Sequence, residues 1–137
     1  MAYEVQITTF GFLHGDPPDA HLTIDLRHHF RDPHVSPDLR YKTARDPEVR
    51  EAVWNTPGIP RVIDGAALAV LAFLEGPSAG PVTVAVGCAG GRHRAASVGE
   101  ELAEVLSNPQ WREITRGNRS VSVTVTHRDL DKDVVNR

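Results

Sequence analysis

The residues best suited to chemistry lie in one short stretch, VAVGCAGGRHRAASVGEEL, which covers residues 84–102. An apolar, β-branched segment leads into two adjacent glycines, and a helical pattern begins directly after them. The first N–H groups of a helix have no partner inside it, and the helix dipole places partial positive charge there. Because glycines let such a backbone approach a ligand closely, the stretch predicts a site for an oxyanion such as phosphate or sulfate. The residues that form this predicted site are Ala89, Gly90, Gly91, Arg92, His93 and Arg94.

Arg94 has the leading role in this prediction, because a guanidinium presents a rigid fork of donors to an oxyanion. We expect the N–H groups of residues 90–93 to bind the remaining oxygens. On this interpretation, the Arg94→Ala substitution removes stabilisation by phosphate and costs little stability in the ligand-free protein. The plainer alternative is a strand-to-helix turn whose glycines only permit the backbone geometry. The adjacent basic residues favour the anion site.

The spacing Cys88-x5-Arg94 raises a second hypothesis, because cysteine-dependent phosphatases place a thiolate and an arginine at this distance. In such enzymes the thiolate attacks phosphorus while the loop and the arginine hold the oxygens. Ala95 stands where those enzymes commonly carry a hydroxyl. The general-acid candidates, supported only by their position, are Asp25, Asp32 and Asp38. We therefore predict no catalytic residue and no enzymatic activity, with Cys88 and Arg94 as the catalytic pair of the alternative.

The histidines in the first third of the chain do not form a metal-site pattern. No tight ligand spacing and no second cysteine accompany them, so we predict neither a metal nor a cofactor. One of them, His34, lies near Arg27 and Arg40 in the sequence, and its functional interpretation is a donor that faces an anion. A solvent-exposed loop histidine is the alternative. Arg27, His34 and Arg40 therefore join the predicted ligand-binding residues.

Hydrophobic periodicity predicts alternating strands and helices. The predicted strands cover residues 3–12, 21–27, 81–88 and 120–128, and the predicted helices cover 47–54, about 60–75 and about 93–107. Residues 28–46 are predicted as a long ordered loop, 108–118 as a polar connection and the last residues as frayed. These elements predict an α/β fold: a single layered domain over residues 1–137, with a mixed, partly parallel central sheet flanked by helices. The glycine loop follows the most apolar strand, where open α/β sheets bind ligands.

The composition is that of one globular domain and excludes a protein held to nucleic acid by bulk charge. The chain has 137 residues, a formal net charge of −3 and 24% charged residues. A single cysteine cannot form an internal disulfide, and no charged-then-apolar leader is visible. No apolar run approaches the ~20 residues that a membrane span needs. We therefore predict a cytoplasmic protein with no membrane partner.

Several segments together resemble one family, the C-terminal domain of the bacterial RNase adapter protein RapZ, also grouped with YvcJ. The matching segments are FGFLHGDPPDAHLTIDLR, DPHVSPDLR, VAVGCAGGRHRAA and THRDL, in the family's order and over nearly the whole chain. The family's central motif has the form G-C-T-G-G-basic-H-R-S. The residues that match it are Gly87, Cys88, Gly90, Gly91, His93 and Arg94.

The resemblance implies a domain that binds a sugar phosphate, glucosamine-6-phosphate, and that binds small regulatory RNAs in the full-length protein. By position, it implies a ligand site formed by His34, Ala89, Gly90, Gly91 and Arg94. Two hydroxyl groups of the family are replaced here, by Ala89 and Ala95, and DLDKDVVNR replaces a basic tail. The chain starts directly at the first strand, so we expect no nucleotide-binding P-loop domain and no ATP-linked activity.

Two binding functions stay open from the sequence. The first is a module that binds a phosphorylated small molecule, or inorganic phosphate or sulfate, and signals its presence. The second is an RNA-binding adapter, coupled to the first or independent of it, and its predicted RNA contacts are Arg112, Arg116, Arg119 and Arg128. A homo-oligomer is expected, because repeating a small basic patch raises avidity for a long polyanion.

Overall fold

The computed structural model of the chain describes residues 3–78, 80–110 and 120–136. The strands are β1 (Tyr3–Gly11), β2 (Leu22–Asp25), β3 (Val82–Cys88) and β4 (Val121–His127). The helices described in full are α1 (Pro47–Trp54), α2 (Ile59–Leu74) and α3 (Arg94–Ser107). Short 3-10 turns lie at Phe12–His14 and Pro33–Val35, the second of them inside the predicted loop. The predicted elements are found with ends shifted by one or two residues.

The four strands form one sheet in the order β2-β3-β1-β4, and each of the pairings is parallel. This confirms the predicted α/β class. The predicted mixture of parallel and antiparallel pairs is wrong for the described strands. Each connection returns the chain to the end of the sheet at which the previous strand began, so that all strands run in one direction. Strand β3 lies between two neighbours, which explains its almost continuous apolar sequence.

One face of the sheet carries the core. Val5 and Ile7 of β1 stand in register with Val82 and Val84 of β3, and all four side chains are buried. Residues from α1, α2 and α3 pack into the same apolar cluster. Because strand residues alternate between faces, the opposite face carries other side chains, and the described helices cover one face rather than flanking the sheet on both. Exposed polar residues on that opposite face are Glu4, Gln6, Ser122 and Thr124.

Helix α3 lies close to the sheet because of a glycine. A Cβ atom at Gly99 would stand only 2.4 Å from Cγ2 of Thr9 in β1, well inside the usual contact distance between carbon atoms of about 3.5 Å. The helix packs an apolar face against the sheet, with Val98, Leu102 and Leu106 all buried. Since α3 follows β3 after five residues, its N-terminus lies at the carboxyl edge of the sheet.

The two earlier helices begin in different ways. Asp46 precedes α1, but its side chain accepts a hydrogen bond from the Thr43 N–H (2.9 Å) instead of capping the helix. Gly58 precedes α2 with a φ of 94°, in the left-handed region that glycine adopts most easily. No helix in the described ranges is long and apolar enough to cross a membrane by itself. The helices α1 and α2 meet that test only together, across an 84° bend.

The chain just after β4 is packed rather than frayed, so the prediction is wrong for its first residues. Asp129 and Leu130 are 0% and 3% exposed. The Asp129 carboxylate accepts hydrogen bonds from the Gly11 N–H (2.7 Å) and from Arg128 Nε (3.0 Å). It also lies 2.6 Å from the Lys132 ammonium. A buried carboxylate requires such partners, and here they tie the end of β4 to the end of β1.

We expect Asp129 to make the fold sensitive to acid. Burial raises the pKa of Asp129, but hydrogen bonds from Arg128, Gly11 and Lys132 outweigh burial and hold the pKa at about 2, below its usual 3.8. Because the folded pKa is lowered, the carboxylate stabilises the fold fully above about pH 4, and this stabilisation is lost as the pH falls toward 2. Urea unfolding between pH 6 and 2 should show a loss of about 2 kcal/mol from this group. The same acid loss in the Asp129→Asn protein would contradict this assignment.

Candidate functional site

The loop between β3 and α3 is built around the sulfur of Cys88. The thiol is buried, and its Sγ accepts hydrogen bonds from the N–H groups of Gly91 (3.3 Å) and Ala95 (3.4 Å). These two bonds fold the backbone of residues 89–93 around the sulfur and hold it against the first turn of α3. Sequence reasoning marked this cysteine as a possible nucleophile. The structure gives it a place at the centre of the loop.

The two loop glycines have different structural demands. Gly91 has a φ of 79°, and a Cβ at this position would stand 2.8 Å from the backbone nitrogen of Gly11. A side chain is therefore excluded there by both backbone conformation and space. Gly90 faces open space, because a Cβ on it would have no heavy atom within 4 Å. Only Gly91 is thus required by the fold.

The loop leaves backbone donors unused. Within the described ranges, the N–H groups of Gly90, Arg92 and His93 donate to no protein acceptor. They precede the first residue of α3, where the helix dipole is positive. Three neighbouring donors of this kind form the type of backbone concavity that binds anions.

Arg94 is buried, and its two terminal nitrogens donate hydrogen bonds to acceptors of the protein itself. Its side chain is 3% exposed, and one terminal nitrogen (NH1) donates to the carbonyl oxygens of Leu26 (2.8 Å), Phe30 (3.1 Å) and Arg27 (3.2 Å). The other terminal nitrogen (NH2) donates to Asp32 Oδ2 at 2.9 Å. The guanidinium therefore fastens the segment after β2 to the start of α3. A forked contact between Arg94 and a phosphate stays a prediction, and it would require these bonds to open.

Asp32 and His34 are brought to the glycine loop by this connection. Asp32 Oδ1 accepts the N–H of His34 (3.0 Å) at the start of the 3-10 turn, while Oδ2 binds Arg94. A small pocket of about 10 Å³ separates this turn from the loop. Its lining residues are Asp32, His34, Cys88, Gly90, Arg92, His93, Val134 and Val135. The structure thus unites His34 with three of the predicted loop residues across a sequence distance of more than 50 residues.

A second, larger cleft adjoins the small pocket. It has a volume of about 420 Å³ and shares His34 and Val134 with the pocket. The lining residues are His34, Val35, Arg40, Tyr41, Val134 and Asn136. Arg40 is held in place by a bond from its Nε to the His34 carbonyl (2.8 Å). Together the two spaces form a stepped depression beside the glycine loop.

His93 and Arg92 hold the walls of this depression together. His93 is buried, and its Nε2–H donates to the Lys42 carbonyl (2.8 Å), while Nδ1 lies 3.9 Å from the Asp32 carboxylate. Arg92 donates from one terminal nitrogen (NH1) to the Lys132 carbonyl (2.7 Å) and from the other (NH2) to the Tyr41 carbonyl (2.8 Å). Both side chains thus bridge the glycine loop to the long loop.

Other predicted ligand residues lie outside the pocket. Arg27 forms an exposed ion pair with Asp25 and stacks over the Phe12 ring, with 3.7 Å between its CZ atom and the ring centroid. Its hydrogen bond lowers the pKa of Asp25, which does not suit this carboxyl to the role of a general acid at neutral pH. Ala89 does not line the pocket, and its carbonyl accepts the N–H of Leu13 (3.0 Å).

Of the four predicted RNA contacts, the structure describes Arg128 alone. Arg112, Arg116 and Arg119 lie outside the described residues. Arg128 uses its guanidinium inside the protein, where it binds Asp129 and the carbonyl of Asp16. RNA binding therefore stays a prediction. Among the described residues, no three His, Cys, Asp or Glu side chains are grouped to hold a metal ion.

The comparison with known protein families agrees with the motifs. The family model described as the RapZ C-terminal domain matches residues 3–131 of this chain. The chain belongs to the RapZ C-terminal domain family. The resemblance drawn from the sequence is thus confirmed, and it covers the β1 edge, the long loop, the glycine loop and the buried Asp129.

Curated relatives of this RapZ C-terminal domain include a nucleotide-binding protein of Thermus thermophilus, 38% identical over 131 residues, which are 94% of this chain and 44% of that protein. A nucleotide-binding protein of Arthrobacter sp. is 35% identical over 136 residues, 97% of this chain and 41% of the relative. A nucleotide-binding protein of Caldicellulosiruptor bescii is 33% identical over 134 residues, which are 95% of this chain and 42% of that protein. The chain spans less than half of the length of these relatives.

Sequence reasoning missed several residues of the RapZ C-terminal domain site. Tyr41, Val134 and Asn136 line the depression, although nothing in their local sequence marks them. Asp32 was named only as a default acid, whereas its position before Pro33 and His34 is a usable signal, because Asp commonly caps a short turn. The buried Arg94 and the partly buried Asp32, 62 residues apart in the sequence, come together only in the folded chain.

We expect Arg94→Ala to destabilise the ligand-free domain, which corrects the expectation that it costs little. Removing the guanidinium takes one of its hydrogen bonds from the Asp32 carboxylate and three from backbone carbonyls, and breaking a pair with one buried and one partly buried charge costs about 3 kcal/mol. Urea unfolding measures the difference. Arg61→Ala, at an exposed position of α2, is the matched control and should change stability by less than about 0.5 kcal/mol. Equal stability of the two variants would contradict the anchoring role of Arg94.

Proposed function

We propose that this RapZ C-terminal domain binds a phosphorylated small molecule, of the class of sugar phosphates such as glucosamine-6-phosphate, at the N-terminus of α3. The observation that carries the proposal is the set of unused N–H groups on Gly90, Arg92 and His93, three residues that line one pocket. Backbone donors in such a place normally have an acceptor. A phosphate group supplies several strong acceptors, and the positive helix end favours its charge.

The charges around the pocket suit an anion. Asp32 is the only carboxylate among the lining residues, and Arg94 and the His34 N–H occupy its two oxygens. Arg92 supplies positive charge at the wall of the pocket, and its Nε is buried without a hydrogen-bond partner in the described part of the chain. The negative charge of Asp32 is thus neutralised by Arg94, and the unused donors set the local potential.

The larger cleft suits the organic part of such a ligand. Its volume of about 420 Å³ lies in the range of sites for small molecules, about 300–1,000 Å³. The side chains of His34, Arg40, Tyr41 and Asn136 offer donors, acceptors and one ring to a polyhydroxylated molecule. A nucleotide is the second ligand class to test, because it presents the same phosphate chemistry to the loop and because the relatives carry nucleotide binding in their names.

Gly90→Ala tests the proposed site. This position has open space for a methyl group, so we expect the fold to keep its stability, while the methyl group intrudes beside the proposed phosphate and weakens binding by about tenfold or more. Thermal unfolding and calorimetry with glucosamine-6-phosphate, inorganic phosphate, ATP and unphosphorylated glucosamine measure both effects. A ligand at about 100 times its dissociation constant should add about 2.7 kcal/mol to the stability of the wild type.

Gly91→Ala is the matched control one residue away. Its methyl group would meet the Gly11 backbone, so this variant should lose stability with or without ligand. Wild-type affinity for every phosphate compound in the Gly90→Ala protein would overturn the proposed site. Equal binding of glucosamine and its phosphate would overturn the anion chemistry.

The phosphatase alternative finds less support. The Arg94 guanidinium, which would have to hold the phosphate oxygens, is bonded to Leu26, Phe30 and Asp32. Ala95 supplies an N–H to the Cys88 sulfur but no hydroxyl. A binding module without phosphoryl transfer therefore agrees better with the site.

We expect the Cys88→Ser substitution to remove no phosphatase activity, because we expect no hydrolysis by the wild type. An aligned proton donor commonly contributes a factor of about 10²–10⁴ in rate, and the carboxylate that lines the pocket with Cys88, that of Asp32, is bonded to Arg94. The assay compares hydrolysis of an aryl phosphate by the two proteins between pH 5 and 8. Turnover in the wild type that disappears in Cys88→Ser would establish the phosphatase instead.

A further inference from the structure

The last described residues of the chain close the anion pocket. Val134 and Val135 complete its lining, and the space left inside is about 10 Å³. A single water molecule needs about 10–15 Å³ measured in this way, so a phosphate group does not fit beside these two valines. Both side chains are partly buried. We call residues 133–136 the covering segment.

The covering segment is anchored at its start and held only by apolar contact beyond it. Lys132 is fixed by its carbonyl, which accepts from Arg92 (2.7 Å), and by its ammonium, which lies 2.6 Å from the buried Asp129. Within the described ranges, residues 133–136 themselves make no hydrogen bond or ion pair. Lifting residues 133–136 therefore breaks no polar contact among the described residues, while Lys132 keeps its place as the hinge.

Lifting the segment would also join the two spaces of the site. Val134 lies between the small pocket and the larger cleft, since it lines both, and Asn136 lines only the cleft. With Val134 displaced, the loop donors and the polar wall at His34 face one continuous depression. Val134 and Val135 thus close the small pocket, and Val134 also separates it from the larger cleft.

We infer that the covering segment is a lid on the anion site, which lowers phosphate affinity by the fraction of time it stays closed. The inference rests on the proposed function for its ligand, but the closure can be measured without one. When only a fraction of the molecules is open, the apparent dissociation constant is the intrinsic constant divided by that fraction. A lid that is open in about a tenth of the molecules would weaken binding about tenfold.

Cys88 reports on the lid, because it is the only cysteine of the chain and lies in the covered pocket. The rate at which a small thiol reagent modifies it measures access to the pocket. We expect the Val134→Gly/Val135→Gly protein to react about tenfold faster than the wild type. The matched control, Val134→Ile/Val135→Ile, keeps the apolar cover and should react no faster. A chain that ends at Lys132 should behave like the glycine variant, and thermal unfolding checks that each variant is folded.

Calorimetry with inorganic phosphate on the same proteins separates the lid from the proposed function. Faster thiol modification together with tighter phosphate binding, in both the glycine variant and the shortened chain, supports both. Faster modification without phosphate binding in any variant supports the lid and overturns the anion site. An unchanged modification rate in both variants overturns the lid, whatever the phosphate affinity.

Discussion

The buried guanidinium of Arg94 is the interaction on which the site depends. A charge that is 3% exposed needs neutralisation and hydrogen-bond acceptors, and here the two terminal nitrogens bind one carboxylate and three backbone carbonyls. All four acceptors come from the segment after β2, between Leu26 and Asp32. Satisfying this one side chain therefore forces a long loop against the start of α3 and places His34 beside the glycine loop.

A second constraint, made of backbone alone, sets the position of the glycine loop itself. Gly11 at the end of β1 and the Gly90–Gly91 pair approach so closely that a Cβ on Gly11 would lie 2.4 Å from the carbonyl carbon of Gly90. The Asp129 carboxylate takes up the Gly11 N–H at the same place. The floor of the proposed site is thus held by backbone contact and by a hydrogen bond, whereas residues 133–136 make no polar contact within the described ranges. This contrast underlies the proposed lid.

The different roles of the glycine loop and of the covering segment also affect how the family motif is interpreted. In the family pattern, the arginine after the glycines suggests a direct ligand contact. In this chain the same arginine uses its terminal nitrogens on the protein, and the unused donors are backbone N–H groups, which no motif of side chains reveals. A residue of the family motif can therefore support the site through the position it imposes on a neighbouring loop, while the proposed ligand contacts are made by backbone N–H groups.

The sequence by itself determined the strands, the helices and the glycine turn, because hydrophobic period, proline and glycine act on near neighbours. Its motifs identified the family, and it predicted an anion site at the start of α3. Only the tertiary structure decided that every described pairing is parallel, that the helices cover one face, and that Arg94 binds Asp32. Only it showed that Val134 and Val135 close the pocket. The physical reason is the same in each case: partners separated by tens of residues are selected by burial and charge balance in the folded chain, and no local pattern records that choice.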